Sequence, residues 1–373
     1  MITIFFLDPV QVRYQQNVSK KEKKLTTFQT AMQLTLTIGQ CFGLNPVLGI
    51  HDNDPKKLRF KYTSWRFVYT FISLMGQFTI ALLLFVVSES YCFSAALIFY
   101  CFGFITTILF LRISMKWPKL CRLIAKIEAA DPNTDTKLTR KLNISCITVL
   151  SLAFLEHGLS ELHGIATAVD CNPETPLYEA FIMHSFSWIF SLIPYNNFVG
   201  FFIHIFNIQS SFYWNYTDVF VICMSIYLTS RLEQVNRRVI AVFGARNSPS
   251  SFWRTLREDY NRSVQLIRQV DKIIGGVVFV SFACNLFFVC SQLLHTLAEG
   301  IKAAPRCSPD SSPDKRLFRG YEHSVYYAYS FVFLVVRSLA VSLTAAKVHA
   351  ASLEPAHSLY DVSSTTYCVE VNR

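Results

Sequence analysis

Four ionisable side chains stand where an ionisable group is most costly. Glu156, His157, Glu161 and His163 fall inside an apolar run, 144–168, long enough to cross a bilayer. A charge at such depth needs a partner, a ligand or water, so each is a candidate site residue. Helical spacing puts Glu156, Ser160 and His163 on one face (i, i+4, i+7), with His157 and Glu161 beside it. Counted from Ile144 at ~1.5 Å per residue, Glu156 lies roughly 18 Å along the helix. That is just past the centre of a hydrocarbon core ~30 Å thick. Later runs add His204, Asn207, Gln209, Trp214, Asn215 and Asp218, then Asn285, Gln292 and His295, then Tyr326, Tyr327, Tyr329 and Arg337.

Carboxylates, imidazoles, amides and aromatic faces together suit a polyol. A carboxylate accepts hydrogen bonds from paired hydroxyls, and an amide bonds both ways. An aromatic face packs on the apolar side of a sugar ring. A structural reading competes, in which Glu156, Asp218 and Arg337 pair across helices or with backbone groups. The clustering of the whole set at one depth on four helices favours a pocket. Catalysis fares worse, because HExxH, GxSxG, P-loop and metal-ligand patterns are all missing. Glu156 and His157 are sequence neighbours, so a helix turns them about 100° apart and a dyad is not expected. The sequence therefore calls for no catalytic residue, no metal and no cofactor.

The elements that must carry these residues are membrane helices. The chain has 373 residues, 52% of them hydrophobic and 16% charged, against about 25% charged in a soluble domain. A helix needs roughly 20 apolar residues to cross, and six runs qualify: 65–87, 93–111, 144–168, 197–229, 273–297 and 323–347. The net charge of +10 does not mark a nucleic-acid binder, since the basic residues sit in short segments between apolar runs. Lys20, Lys21, Lys23, Lys24, Lys56 and Lys57 precede the first run, Lys116 to Lys141 follow the second, and Arg231 to Lys272 follow the fourth. Segments 88–92 and 169–197 hold no Lys or Arg. The amino terminus is therefore expected in the cytoplasm. Lys302, Arg306, Lys315, Arg316 and Arg319 dissent, and the parity of the three basic segments outweighs them.

The expected fold is all-α, a polytopic bundle of six spans. Residues 1–64 form a cytoplasmic segment, 65–347 the transmembrane domain and 348–373 a cytoplasmic linker. Within the first segment, 28–50 reads as a helix packed on the inner face or a shallow re-entrant element. Residues 178–194 are apolar, but a crossing there would break the parity, so they read as an extracellular interfacial stretch. The 231–272 linker reads as a continuation of the fourth and fifth helices. Eleven cysteines show no CxxC pair. Most lie inside apolar runs as small hydrophobes, while Cys171 and Cys307 fall in two outer loops as a candidate disulfide. The run at the start is too short for a cleavable signal, so the first span is expected to act as its own.

Several of these stretches resemble the insect gustatory receptors, in their sugar-sensing, trehalose-receptor-like branch. They are Gln40 to Val47 (QCFGLNPV), Leu58 to Phe67 (LRFKYTSWRF), Ala153 to Leu159 (AFLEHGL), Phe212 to Phe220 (FYWNYTDVF), Arg257 to Tyr260, Val280 to Leu293 and Tyr327 to Ala345. The resemblance implies a plasma-membrane, multi-pass receptor of seven spans with its amino terminus inside. It implies a ligand-gated, non-selective cation channel, a homo- or hetero-tetramer with other gustatory receptor subunits, each holding a sugar near its outer side. Carried over on the matched motifs are Glu156, His157, Trp214, Asn215 and Asp218. The full expected pocket is Glu156, His157, Glu161, His204, Trp214, Asn215, Asp218, Gln292, His295 and Tyr326. The seventh span with its TY…QF signature has no counterpart in 348–373, so this chain alone is expected not to form a conducting pore, and a truncated, non-conducting isoform that joins full-length subunits is the alternative. A transporter is the reading from another class, and it lacks paired broken helices and internal symmetry.

Overall fold

The computed structural model describes residues 27–52, 54–87, 95–132, 135–243, 250–299 and 321–360. Among these residues the chain is a bundle of nine α-helices with one two-stranded ladder. Helix α1 (Phe28–Cys41) starts at Thr27, whose hydroxyl accepts from the Thr30 N–H at 3.3 Å. That bond satisfies one of the four orphan donors of a helix start. Glu128 supplies a second cap, accepting from the Phe28 N–H at 3.0 Å and from the Tyr227 hydroxyl at 3.0 Å. Phe28, Ala31, Met32, Thr35, Leu36 and Gly39 point into the core.

Fourteen residues make α1 about 21 Å long at ~1.5 Å per residue. It begins beside Trp117 and Tyr227 and ends where Phe42 stacks on Phe212, ring centroids 3.7 Å apart. The element expected from 28–50 is thus a helix followed by a return. Gly43 (φ 82°) and Gly49 (φ 82°) make the turns, and Val47–Leu48 pairs antiparallel with Arg59–Phe60. Gly39 has a steric duty, because a Cβ there would collide with the Tyr216 hydroxyl. That hydroxyl donates to the Thr35 carbonyl at 3.0 Å and accepts from the Asn45 amide at 2.7 Å.

The long helices follow: α2 (Trp65–Val87), α3 (Ala95–Ala130) and α4 (Leu138–Cys171). Two short ones, α5 (Leu177–Ser185) and α6 (Ser187–Phe190), precede α7 (Asn197–Phe243), α8 (Ser250–Glu299) and α9 (Tyr321–Tyr360). Over its described residues, each of the six expected spans lies in one of the long helices. Five of them, α2, α3, α4, Thr255–Ala298 of α8 and Glu322–Pro355 of α9, are long and apolar enough to cross a membrane. Their outward faces carry bare side chains such as Phe154 (80% exposed), Phe279 (73%) and Phe85 (66%). Contiguous apolar surface of that kind needs lipid or another subunit.

Helix α7 is the exception. It runs for 47 residues yet is too polar to count as a span by composition. The reason is its place in the bundle, packed against α3, α4, α8 and α9. Gln209, Ser210, Asn215, Thr217 and Asp218 are all buried there, so protein and not hydrocarbon surrounds its polar groups. Tyr213, Tyr216, Phe220, Cys223, Met224 and Tyr227 fill the core between α1 and α3.

The helices also run past the expected spans: α3 continues to Ala130, α7 to Phe243, α8 begins at Ser250 and α9 ends at Tyr360. Backbone hydrogen bonding does not stop at the lipid border, and these extensions keep helical partners of their own. Asp131 accepts from the Gln234 amide at 2.9 Å, pairs with Arg231 at 3.3 Å and with Arg238, and Arg238 reaches on to Asp259 at 2.8 Å. Asn236 donates to the Ala351 carbonyl at 2.8 Å. The 231–272 linker is helical on both sides of 244–249, as a continuation of two spans requires. Segment 178–194 forms α5 and α6, 9 and 4 residues long. Both are too short to cross and are seated on α4 and α7 through Phe181, Ile182, Phe186 and Ile189.

Candidate functional site

The residues 156–160, 207–215, 288–292 and 326–330 come from four helices, and they close around one recess. Its volume is about 330 Å³, at the small end of the ~300–1,000 Å³ typical of small-molecule sites. Helix α4 contributes Glu156, His157 and Ser160; α7 contributes Asn207, Ser211, Trp214 and Asn215. Helix α8 adds Phe288 and Gln292, and α9 adds Tyr326 and Ser330. Phe99 and Tyr100 at the start of α3 close one side, and Ser185, Phe186 and Trp188 of the α5–α6 segment another.

The polar rim is partly wired. Ser330 donates to Glu156 Oε1 at 2.9 Å, and the Gln292 amide donates to Ser330 Oγ at 3.3 Å. One hydrogen-bond chain thereby crosses α4, α9 and α8. The Asn207 amide donates to Tyr100 Oη at 2.9 Å. Two buried atoms in the lining have no hydrogen-bond partner among the described residues: Gln292 Oε1 and His157 Nε2. His157 Nε2 lies 3.5 Å from Glu161 Oε1, an electrostatic contact too long for a good hydrogen bond. Buried polar atoms are rarely left unmatched, so these two mark the wall of the recess as incompletely satisfied. The aromatic wall is Trp214 against Phe288, ring centroids 4.5 Å apart, with Phe99 edge-on at 6.4 Å.

Beneath the recess sits an ion pair that no ligand can reach from it. Asp218 is 0% exposed and Arg337 is 3% exposed. Arg337 Nε stands 2.9 Å from Asp218 Oδ2, which also accepts from the Asn285 amide at 2.9 Å, while Oδ1 accepts from Ser281. Arg337 donates further to Asn215 Oδ1 and lies over the Trp214 ring at 4.5 Å and the Phe333 ring at 5.2 Å. The Trp214 indole N–H donates to Asn285 Oδ1 at 3.0 Å. This network fixes the orientation of Trp214 and Asn215, the two floor residues.

Of the ten residues expected for the pocket, six line it: Glu156, His157, Trp214, Asn215, Gln292 and Tyr326. Four do not. Asp218 is in the buried ion pair, where the structural reading had placed it. Glu161 turns aside to His204, 3.1 Å away. His204 lies between that carboxylate and the Phe181 ring, 5.5 Å away. His295 faces the Tyr327 ring at 5.6 Å. Cys171 is disulfide-bonded, and Cys307, the partner expected for it, lies outside the described residues. Among those residues no group of three His, Cys, Asp or Glu side chains could hold a metal.

Sequence reasoning passed over Phe99, Tyr100, Ser185, Trp188, Ser211, Phe288 and Ser330 as lining. For two of them a signal exists. Ser330 is one helical turn from Tyr326, and Ser211 is one turn from Asn207 and Asn215, so both complete a stripe already marked. Phe99, Tyr100 and Phe288 carry no such signal, because an aromatic in an apolar helix reads as bulk.

Fold and recess together define a helical membrane protein with a polar, aromatic-walled recess among its helices. The family model described as trehalose receptor matches residues 12–307 and 314–373, and the chain belongs to that family. The chain is 30% identical to "Gustatory receptor for sugar taste 64f" of Drosophila melanogaster, covering 95% of this chain and 74% of that one. It is 28% identical to "Gustatory receptor 5a for trehalose" of the same organism, over 93% and 76% of the two chains. It is 26% identical to "Gustatory receptor for sugar taste 64a", over 96% and 78%. Among solved structures, the insect olfactory receptor OR5 from Machilis hrabei in complex with eugenol shares the fold. The TM-score is 0.59 at 13% identity, over 89% of this chain and 84% of that one.

Proposed function

We propose that this chain is a plasma-membrane gustatory receptor subunit that binds a mono- or disaccharide in the recess between α4, α7, α8 and α9. The observation that carries the reading is the lining itself. A carboxylate (Glu156), two amides (Asn215, Gln292) and two hydroxyls (Ser160, Ser330) face the indole of Trp214 and the ring of Phe288 across one small volume. Glu156 would accept a pair of sugar hydroxyls, the Asn215 and Gln292 side chains would stand beside them, and Trp214 would take the apolar ring face. The relatives named for sugar taste and for trehalose support the same ligand class.

The Lys and Arg distribution supports an amino terminus in the cytoplasm, which puts the recess in the outer half of the membrane. In this reading residues 1–64 are a cytoplasmic segment from which α1 re-enters the membrane beside α4 and α7, 65–347 form the membrane domain and 348–373 return to the cytoplasm. The receptor works as a homo- or hetero-tetramer whose sugar-bound state opens a non-selective cation pathway. Binding is the step to test first. The purified chain in lipid nanodiscs is titrated with trehalose, sucrose, maltose and glucose, following indole fluorescence. At least one sugar is expected to bind, and Glu156→Gln is expected to weaken it by about 10- to 100-fold. That factor corresponds to a hydrogen bond to a charged group, ~1.5–3 kcal/mol. Equal affinity in wild type and Glu156→Gln, at equal surface expression, would remove the carboxylate from the site.

A further inference from the structure

A second cavity of about 430 Å³ lies beside the first, and its chemistry is the opposite. Its wall is Ile38 and Phe42 from the α1 region, Leu150 and Phe154 from α4, and Ile208 and Phe212 from α7. Three residues, His157, Ser211 and Asn215, line both cavities, so one thin wall separates them. The mouth opens on the outward face of α4, where Ile147 is 54% exposed and Phe154 is bare.

We infer that this groove holds one acyl chain of an inner-leaflet anionic phospholipid, and that its occupancy supports the wall of the sugar recess. The inference rests on the inward amino terminus proposed above. Three observations choose this occupant. The first is depth: from Ile147 to His157 the groove rises from roughly 4 Å to roughly 20 Å above Ile144, at ~1.5 Å per residue. That interval begins in the inner leaflet of a ~30 Å core and ends just past its centre, so its greater part lies at the acyl-chain depth of that leaflet. The second is lining, which is apolar along the length apart from Ser151 at the mouth, with its other polar residues, His157, Ser211 and Asn215, at the deep end beside the sugar recess. The third is charge. Arg140, Ile144, Ile147, Ser151 and Phe154 follow one another at i, i+4, i+7, i+11 and i+14 on one helical face, all exposed. Arg140 therefore stands at the cytoplasmic border directly below the groove, where a lipid phosphate lies.

The test is photolabelling of the full chain in nanodiscs that contain a phosphatidylserine with a diazirine in mid-chain. Adducts are mapped by mass spectrometry. Adducts in 147–154 and 208–212 are expected to exceed those at the plain lipid faces of Phe279 and Leu343 by at least about fivefold. Ser151→Trp, which fills the mouth from an exposed position, should cut the groove adducts about fivefold and leave the others unchanged. Ile147→Trp serves where Ser151→Trp folds poorly. Arg140→Glu should cut them in the same way. Groove labelling equal to the other faces, or indifferent to all three variants, overturns the proposal. The labelling contains no sugar, so it succeeds or fails apart from the sugar reading. In a chain that binds sugar, Ser151→Trp should shift the affinity by more than about threefold, and an unchanged affinity overturns the coupling.

Discussion

Replacing Asp218 by Ala strands a buried cation. Arg337 is 3% exposed, and its Nε loses the carboxylate that stands 2.9 Å away. The rings of Trp214 and Phe333 already sit against the guanidinium, so they offer nothing new to the variant. Removing one partner of a buried ion pair costs about 3–5 kcal/mol. At ~2 °C per kcal/mol, the lower figure suited to a large chain, the melting temperature falls by about 6–10 °C. Ser281 and Asn285 also lose their acceptor, which pushes toward the upper end. The double variant Asp218→Leu, Arg337→Leu removes both charges together. It is expected to be less destabilised than Asp218→Ala, since an apolar pair of similar volume often replaces a buried ion pair at little cost. Size-exclusion chromatography after stepwise heating gives the melting temperature, and surface biotinylation gives the delivered protein. Wild-type melting and surface density in Asp218→Ala, with sugar binding lost, would refute the reasoning. The carboxylate would then be a ligand contact and not a structural one.

The cytoplasmic ends make two further predictions. Asp131→Ala leaves Arg231, 2% exposed, with main-chain and amide bonds and only the more distant charge of Glu128. The cost is about 2–4 kcal/mol, read as faster limited proteolysis within 231–272 with sugar affinity unchanged. Asp135 lies in the turn before α4. Burial pushes its carboxyl up, but the Lys141 ammonium at 2.8 Å, the Lys137 N–H and the charge of Arg237 outweigh this and hold it below its ordinary value. A depressed carboxyl contributes stability above its unfolded pKa and loses it as pH falls through the folded one. Asp135→Asn should therefore melt lower than wild type at about pH 6, and the gap should close toward about pH 3. Lys141 is exposed to solvent and Asp135 only partly covered, so the gap corresponds to at most ~1 kcal/mol.

Much of the fold was legible because lipid imposes a simple rule on sequence. A crossing helix must be apolar for about 20 residues, and runs such as 65–87 and 273–297 read directly. The helical extensions were legible only in part, since the 231–272 continuation shows in its charge spacing while the length of α9 past Lys347 does not. The site was legible where polarity contrasts with its surroundings, as at Glu156 and Gln292. It was illegible where partners are decided in three dimensions. Asp218 and Glu156 look alike in sequence, each a carboxylate in an apolar run. What separates them is Arg337, 119 residues further on than Asp218, which claims one carboxylate and leaves the other to Ser330. His204 and Glu161 likewise find each other and so leave the recess.

The same physics explains why the recess lies where it does. A helix as polar as α7 is stable at membrane depth only when other helices surround it, and α3, α4, α8 and α9 do so. Its lower stretch is sealed by close packing, with Tyr216, Phe220 and Tyr227 fully buried. Its upper stretch, from Asn207 to Asn215, is not sealed, because α4 and α9 meet it there through Glu156, Tyr326 and Ser330 and not through bulky aliphatic side chains. Those polar groups satisfy one another only in part, as the unmatched Gln292 Oε1 and His157 Nε2 record. Filling the gap with apolar side chains would strand the same groups, so a polar occupant is what this arrangement accommodates. The ion pair of Asp218 and Arg337 closes the recess from below and holds Trp214 and Asn215 in place. A ligand that touches those two residues therefore touches, at one remove, the α9 helix that carries Arg337.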